Sequence, residues 1–314
     1  MSSGPVLNGA LSGARVIVTG ASGFIGLNLV KTLVSLGANV MVIDRIQPAE
    51  HLPNVEFEWA DLRHLDKTYE ADYLIHLAAI TNAGYAEKYP LDTYEVNVLG
   101  TVNLLNHVKV NRRVLFPSTA LIYKASHVPL TEDSEQDPAS VYAQSKVIGE
   151  QVIKFHCQRM GIAYTVVRFF NVFGPGQIPL YIVPQVVHQI MEDRKVVLRN
   201  GSVVRDLLYV DDCIDAVLKL AVSEEAENSV FNIGSGRKVE IIDVARAAVR
   251  VSESPDVEVV DLKQNIEYSP TAIIADIGKV QATVDWDPGT TLEEGMKAML
   301  NAYVRPKHTN AAVS

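Results

Sequence analysis

The sequence predicts an α/β fold: a doubly wound parallel sheet with a smaller C-terminal α/β lobe. Short β-branched runs alternate with helix-length amphipathic stretches as far as Phe169. The first of these runs ends in three spaced glycines, Gly20, Gly23 and Gly26. From about Phe173 the alternation gives way to a Pro/Gly-containing stretch and a different rhythm of short elements.

Taken in order, the strand runs are RVIVT (15–19), NVMVID (39–44), VEFEW (55–59), DYLIHL (72–77), RVLFPS (113–118) and YTVVRF (164–169). Helix-period stretches cover 23–36, 91–109 and 141–160. Strand, helix, strand in repetition places the strands parallel and covers both sheet faces with helices. Beyond Phe173 come the helix-like VPQVVHQIMED, a strand pair around 196–210, and helices near 212–222 and 240–251. The reading assigns 14–172 to the main domain with returns near 209–235, and 173–208 with 236–304 to a substrate lobe. Residues 1–13 and 305–314 are read as flexible tails.

With 314 residues, 48% apolar and 21% charged, the chain can bury a full core. The net charge of −9 is spread along it without a basic block, which argues against nucleic acid or an anionic membrane surface as a partner. QIPLYIVPQVVHQIM, the longest uncharged apolar stretch, is too short to span a bilayer, and residues 1–13 lack the features of a signal peptide. A cytoplasmic protein is expected. Cys157 and Cys213 stand far apart without clustered histidines, so neither a disulfide framework nor a metal site is expected. Each reads as a small buried hydrophobe.

A strand ending at Thr19 and running into Gly20, Gly23 and Gly26 makes a tight turn at a helix N-terminus, where free amides and the helix dipole favour a phosphate. The spacing G-x-x-G-x-x-G meets the commoner dinucleotide fingerprint only in part. Asp44, closing the second strand, adds to it: a carboxylate there can accept from adenosine ribose hydroxyls and repels a 2′-phosphate, favouring NAD over NADP. Arg45 works against that preference.

In SVYAQSKVIGEQV, Tyr142 and Lys146 lie four apart and share a helix face. Bringing a phenol from its ordinary pKa of about 10 to near 7 takes roughly 4 kcal/mol. An ammonium about 4 Å away supplies about 1 kcal/mol in water and roughly 4 at an effective dielectric near 20. The pair therefore makes a base only in a partly dry cleft, as expected beyond the carboxyl ends of the strands. Ser118 and Thr119 arrive at that edge, and Thr119 can hydrogen-bond the oxygen that Tyr142 deprotonates.

The ordered set TGASGFIG, ADL, HLAA, EVNVLGTVNLL, PSTALIY, YAQSK, RFFNVFGPGQ, RDLLYVDD and FNIGSG resembles the extended short-chain dehydrogenase/reductase family, in its nucleotide-sugar epimerase and dehydratase branch, from about Ala14 to Leu300. The resemblance implies a Rossmann-type sheet and NAD as cofactor. It places Phe24 and Ile25 with the glycines at the pyrophosphate, Asp61 and Leu62 at the adenine, and Leu77, Ala78, Ala79, Asn97, Ser118 and Phe169 along the cofactor. It puts Lys146 on the nicotinamide ribose, Thr119, Asn171 and Arg205 at the substrate, and Tyr181 with Val183 against its nucleotide. Arg205 also makes sense alone, since a guanidinium fork suits a diphosphate; its alternative is an ion pair with Asp206 or Asp211.

Members of this branch begin by oxidising the sugar C4, and the residues after Thr119 decide the fate of the 4-keto sugar. Asp-Glu there goes with 4,6-dehydration and Ser-Glu with decarboxylation, whereas this chain has Ala120 and Leu121. The resemblance thus implies a 4-epimerase acting on a nucleotide sugar, with UDP favoured, and a homodimer formed through helices near 93–109 and 141–158. The sister reactions (dehydratase or decarboxylase) and a keto-sugar reductase are the alternatives, with a non-catalytic NAD or nucleotide sensor on the same fold ranked after them. Two positions depart from the family pattern: Lys124 stands where glycine is usual, and Ile266 near the place of an arginine that helps hold the diphosphate.

Overall fold

A computed structural model describes residues 5–48, 52–254, 256–264 and 272–303. Ile266 and the segment 305–314 lie outside the described residues. Along the chain run α1 (Pro5–Leu11), β1 (Arg15–Thr19), α2 (Phe24–Ser35), β2 (Asn39–Asp44), β3 (Val55–Trp59), β4 (Tyr69–His76), α3 (Ala83–Lys88) and α4 (Pro90–Tyr94). A π turn (Glu95–Leu99) joins α4 to α5 (Gly100–His107), followed by β5 (Val108–Thr119), α6 (Val141–Met160), β6 (Ala163–Phe169) and β7 (Asn171–Phe173). Next come α7 (Ile182–His188), β8 (Lys195–Leu198), β9 (Val204–Arg205), β10 (Leu207–Tyr209), α8 (Val210–Val222) and β11 (Ser229–Ile233). The last elements are β12 (Val239–Glu240), α9 (Ile241–Val251), β13 (Glu258–Asp261), α10 (Gly278–Val284) and α11 (Leu292–Asn301).

The chain forms two compact units, one drawn from Met1–Val172, Arg205–Lys238 and Tyr268–Gly289, the other from Phe173–Val204, Val239–Glu267 and Thr290–Ser314. The first holds a seven-stranded sheet in the order β11-β6-β5-β4-β1-β2-β3, parallel throughout. Strand order reverses between β1 and β4, the switch point at which ligands bind in such sheets. Alternation sorts the core: Val16 and Val18 of β1 pack with Leu29, Val30 and Leu33 of α2 and with Cys213 and Val217 of α8. Ile17, between them, faces Leu104, Phe116 and Ile153 on the other side.

Three expectations change. Residues 5–11, read as part of a tail, form α1, and Leu7 and Leu11 are buried in the α2–α8 core. The segment Tyr268–Gly289, read as lobe, belongs to the unit of the large sheet. In the second unit β8 pairs in parallel with β13, in the register Val196↔Val259, and not with the strand next to it in sequence. Parallel partners require a long crossover, so nearness in sequence misleads there. Both cysteines are free and buried, and burial pushes the Cys157 thiol up to about 12.

Candidate active site

The glycine turn is shaped by backbone crowding. Gly20 has φ 73°, and a Cβ on it would lie 2.5 Å from Ala78 N and 2.7 Å from Ala78 Cα. A Cβ on Gly26 would fall on Gly20 O and within 2.6 Å of Ala21 Cα. Gly23 differs in degree: its Cβ would make a single tight contact, with Gly20 O at 3.3 Å, and no overlap. Gly23 is also the N-cap of α2, with no side-chain cap and no acidic residue in the first turn, while Phe24 and Ile25 pack towards the core. An uncapped helix start behind a bare glycine suits a diphosphate.

Asp44 reaches back to this turn, its carboxylate accepting from Ser22 N at 2.9 Å and Ile46 N at 3.1 Å. Two backbone donors hold the charge in place and leave lone pairs for a ribose diol. Arg45 stands 3.5 Å from Asp61, so part of the positive charge that argued against NAD is matched by a carboxylate. Asp61 is gripped by Arg63, which donates from Nε at 3.0 Å and Nη2 at 2.7 Å and holds the carboxyl down at about 2. The Asp61 side chain is thus committed to arginine; Leu62 beside it is buried.

Behind the turn lies a buried ladder that the motifs alone do not reveal. Thr101 Oγ1 donates to Asn97 O at 2.7 Å, so it accepts from His76 Nε2 at 2.8 Å. The other ring nitrogen then accepts from Thr19 Oγ1 at 2.7 Å, and Thr19 Oγ1 accepts from Ala78 N at 3.2 Å. Burial, with the charge of Lys146, drives the His76 pKa down to about 3, keeping the imidazole neutral. Asn97 sits in the π turn, a distortion frequent at functional sites. Its side chain binds Ile80 N and O at 2.7 and 3.0 Å and donates to Ser145 Oγ at 2.9 Å; Ser145 Oγ donates to Tyr142 O at 2.7 Å. Thr19, His76, Thr101 and Ser145 therefore join the glycine turn to the helix of Tyr142. Histidine within HLAA and serine within YAQSK were the available signals.

Thr119 ends β5 opposite Phe169 of β6, and its Oγ1 accepts from Leu121 N, capping the short 120–122 turn that packs on α6. Ser118 Oγ is buried and has no hydrogen-bond partner among the described residues. A buried hydroxyl without a partner is costly, and a ligand at this edge would relieve it. Tyr142 occupies the first turn of α6 and Lys146 the next. Lys146 is buried, its Nζ 4.1 Å from the centre of the Phe116 ring, and that burial, opposed by Glu150, lowers its pKa to about 7.

Of the substrate residues, Asn171 donates from Nδ2 to Asp206 O at 3.0 Å, next to Arg205. The Asp206 carboxylate is taken up by Ser235 N and Oγ, Gly236 N and Ala275 N, at 2.6 to 3.0 Å, so it serves the turn of FNIGSG. Tyr181 and Val183 belong to the second unit, where Tyr181 is exposed at the start of α7 and Val183 is buried. Lys124, one of the two departures, pairs with Glu135 at 3.0 Å.

A sequence profile of the NAD dependent epimerase/dehydratase family matches residues 16–234. The chain belongs to that family. It is 27% identical over 304 residues to the UDP-glucose 4-epimerase of Halalkalibacterium halodurans, covering 87% of this chain and 90% of that one. The UDP-glucose 4-epimerase of Thermotoga maritima, solved with UDP-glucose, superposes with a TM-score of 0.81 at 26% identity, covering 92% of this chain and 98% of the other. An NAD-dependent NDP-hexosamine 5,6-dehydratase of tunicamycin biosynthesis gives 0.79 at 30% identity, covering 92% and 97%. NAD is the cofactor of this family of enzymes, and the open glycine turn, the fixed Asp44 carboxylate and the partnerless Ser118 hydroxyl fit it. Among the described residues no helix is long and apolar enough to cross a membrane.

Proposed function

We propose that the protein is a nucleotide-sugar 4-epimerase acting on a UDP-hexose or a derivative of one, with NAD held by the glycine turn, Asp44 and Lys146. The observation that carries this reading is the set Thr119, Tyr142 and Lys146, with Thr119 followed directly by Ala120 and Leu121, neither of which can move a proton. Tyr142, as phenolate, takes the proton of the sugar 4-OH while Thr119 hydrogen-bonds the same oxygen. Lys146, poised near 7 by burial, gains its proton as the phenolate forms, each charge stabilising the other in a site of low dielectric. Bound NAD would supply a reversible hydride acceptor for C4. For a 4-keto sugar presenting its other face, Tyr142 would return the proton to the C4 oxygen, so inversion at C4 would need no acid or base beyond this set.

Arg205 and Asn171 are the proposed contacts for the diphosphate, and Tyr181 with Val183 for the nucleotide. We also propose a homodimer through the π turn, α5 and α6, a reading supported by the exposure of Leu99 (60%) and Phe155 (69%). The free thiols suit a reducing, cytoplasmic setting. Incubation with NAD and a panel of UDP-sugars, followed by NMR, is expected to show pairs of 4-epimers interconverting. A 4-keto-6-deoxy product, released CO2, or NADH accumulating with turnover would instead select a dehydratase, decarboxylase or dehydrogenase.

A further inference from the structure

The segment Ala83–Lys88 belongs to none of the cofactor or catalytic motifs, yet Glu87 of α3 accepts from Val141 N at 2.7 Å. Val141 opens α6 and Tyr142 is the next residue. The second and third turns of this helix are tied to other elements: Ser145 to Asn97, Gly149 against the Phe116 ring with room for no Cβ, and Glu150 to Arg168 of β6 through two bonds of 3.0 and 2.8 Å. The N-cap, Ser140, accepts from Ala143 N, but it is continuous with the helix and moves with it. Helix N-termini leave amides open and fray from that end, and a carboxylate placed there satisfies a donor and the dipole together. Glu87 comes from an element itself held in place, because Asn82 caps α3 and Tyr85 donates to Asp92.

We infer that Glu87 is a positioning residue: it ties the first turn of α6 to α3 and so sets where the Tyr142 phenol stands relative to Thr119. The inference rests on the proposed role of Tyr142. Glu87 is exposed, so its replacement should not disturb the core.

The test compares Glu87→Ala, Glu87→Gln and Tyr142→Phe with the parent by kinetics on the sugar found active, and by hydrogen exchange of the amides of residues 141–143. Since a displacement of about 1 Å can cost on the order of 100-fold in rate, Glu87→Ala is expected to lower kcat by about tenfold or more with KM within about twofold. Its first-turn amides should exchange about tenfold faster or more, reporting local opening. Glu87→Gln, whose amide oxygen still accepts, should restore both kcat and protection. Parental kcat in Glu87→Ala, unchanged exchange, a loss confined to KM, or a Gln variant as impaired as Ala would each overturn the assignment. Activity surviving in Tyr142→Phe would overturn the role of Tyr142 instead, leaving exchange to judge Glu87. A dead Tyr142→Phe beside a fully active Glu87→Ala would sink the Glu87 assignment alone.

Discussion

At pH 8 an unfolded chain carries Lys146 protonated, whereas in the fold its buried amine titrates near 7. Between about pH 7 and 10.5 the unfolded state therefore binds more protons, and stability rises with pH across that window. Neutralising the amine at pH 8 costs up to about 3 kcal/mol, and the uncharged amine 4.1 Å from the Phe116 ring centre has no cation–π attraction to offset it. Replacement by methionine, of similar length and no charge, is expected to abolish activity and to raise NAD-free stability by about 2 kcal/mol at pH 8, with the gain fading towards pH 10.5. Urea unfolding of parent and variant across that range measures it. A variant less stable at pH 8 would show that the lysine is held by a compensating charge. Tyr142, Lys146 and Thr119 could be nominated from the sequence because each lies in a short contiguous motif, and their catalytic role is the proposal made above. Glu87 was not, since its significance comes from the meeting of two helices far apart in the chain.

At the scale of elements, the turn from β1 into α2 holds two glycines that the backbone crowds and one, Gly23, for which we propose a role toward a ligand. Gly26→Ala would press a methyl onto Gly20 and Ala21 and is expected to cost about 2 kcal/mol or more. Gly23→Ala meets one tight contact, Gly20 O at 3.3 Å, that a shift of a few tenths of an ångström relieves; it should cost about 1 kcal/mol or less, while weakening NAD binding about tenfold or more. Thermal melts with NAD titration by calorimetry distinguish the two, and equal losses of stability would defeat the distinction. The spacing of the glycines was readable, but how tightly each is packed was not, because that depends on Gly20 and Ala21 folding back over Gly26 and on Ala78 arriving after β4 against Gly20. The ladder through His76 escaped for a similar reason: its members come from β1, β4, α5 and α6. The strands of the large sheet were readable from their β-branched runs; α1 was not, being seven residues long with Asn8 and Gly9, poor helix formers, at its middle.

For the whole molecule, the proposed dimer makes a prediction that does not depend on catalysis. Leu99→Asp combined with Phe155→Asp should halve the mass seen by light scattering and leave the monomer folded, since both side chains are exposed. An unchanged mass would move the interface elsewhere or make the protein a monomer. The boundary near residue 172 could be read where strand alternation stops, but the return of Tyr268–Gly289 to the large unit could not, because it depends on tertiary packing. That weaving has a practical result. Expression of Met1–Val172 alone would omit β11, which borders β6, and α8, which lines one face of the core. Such a truncation would leave an open sheet edge and a stripped apolar surface, so it should aggregate and not behave as a minimal dinucleotide-binding module. Swapping substrate specificity with a relative would therefore mean exchanging several separate stretches of the gene at once.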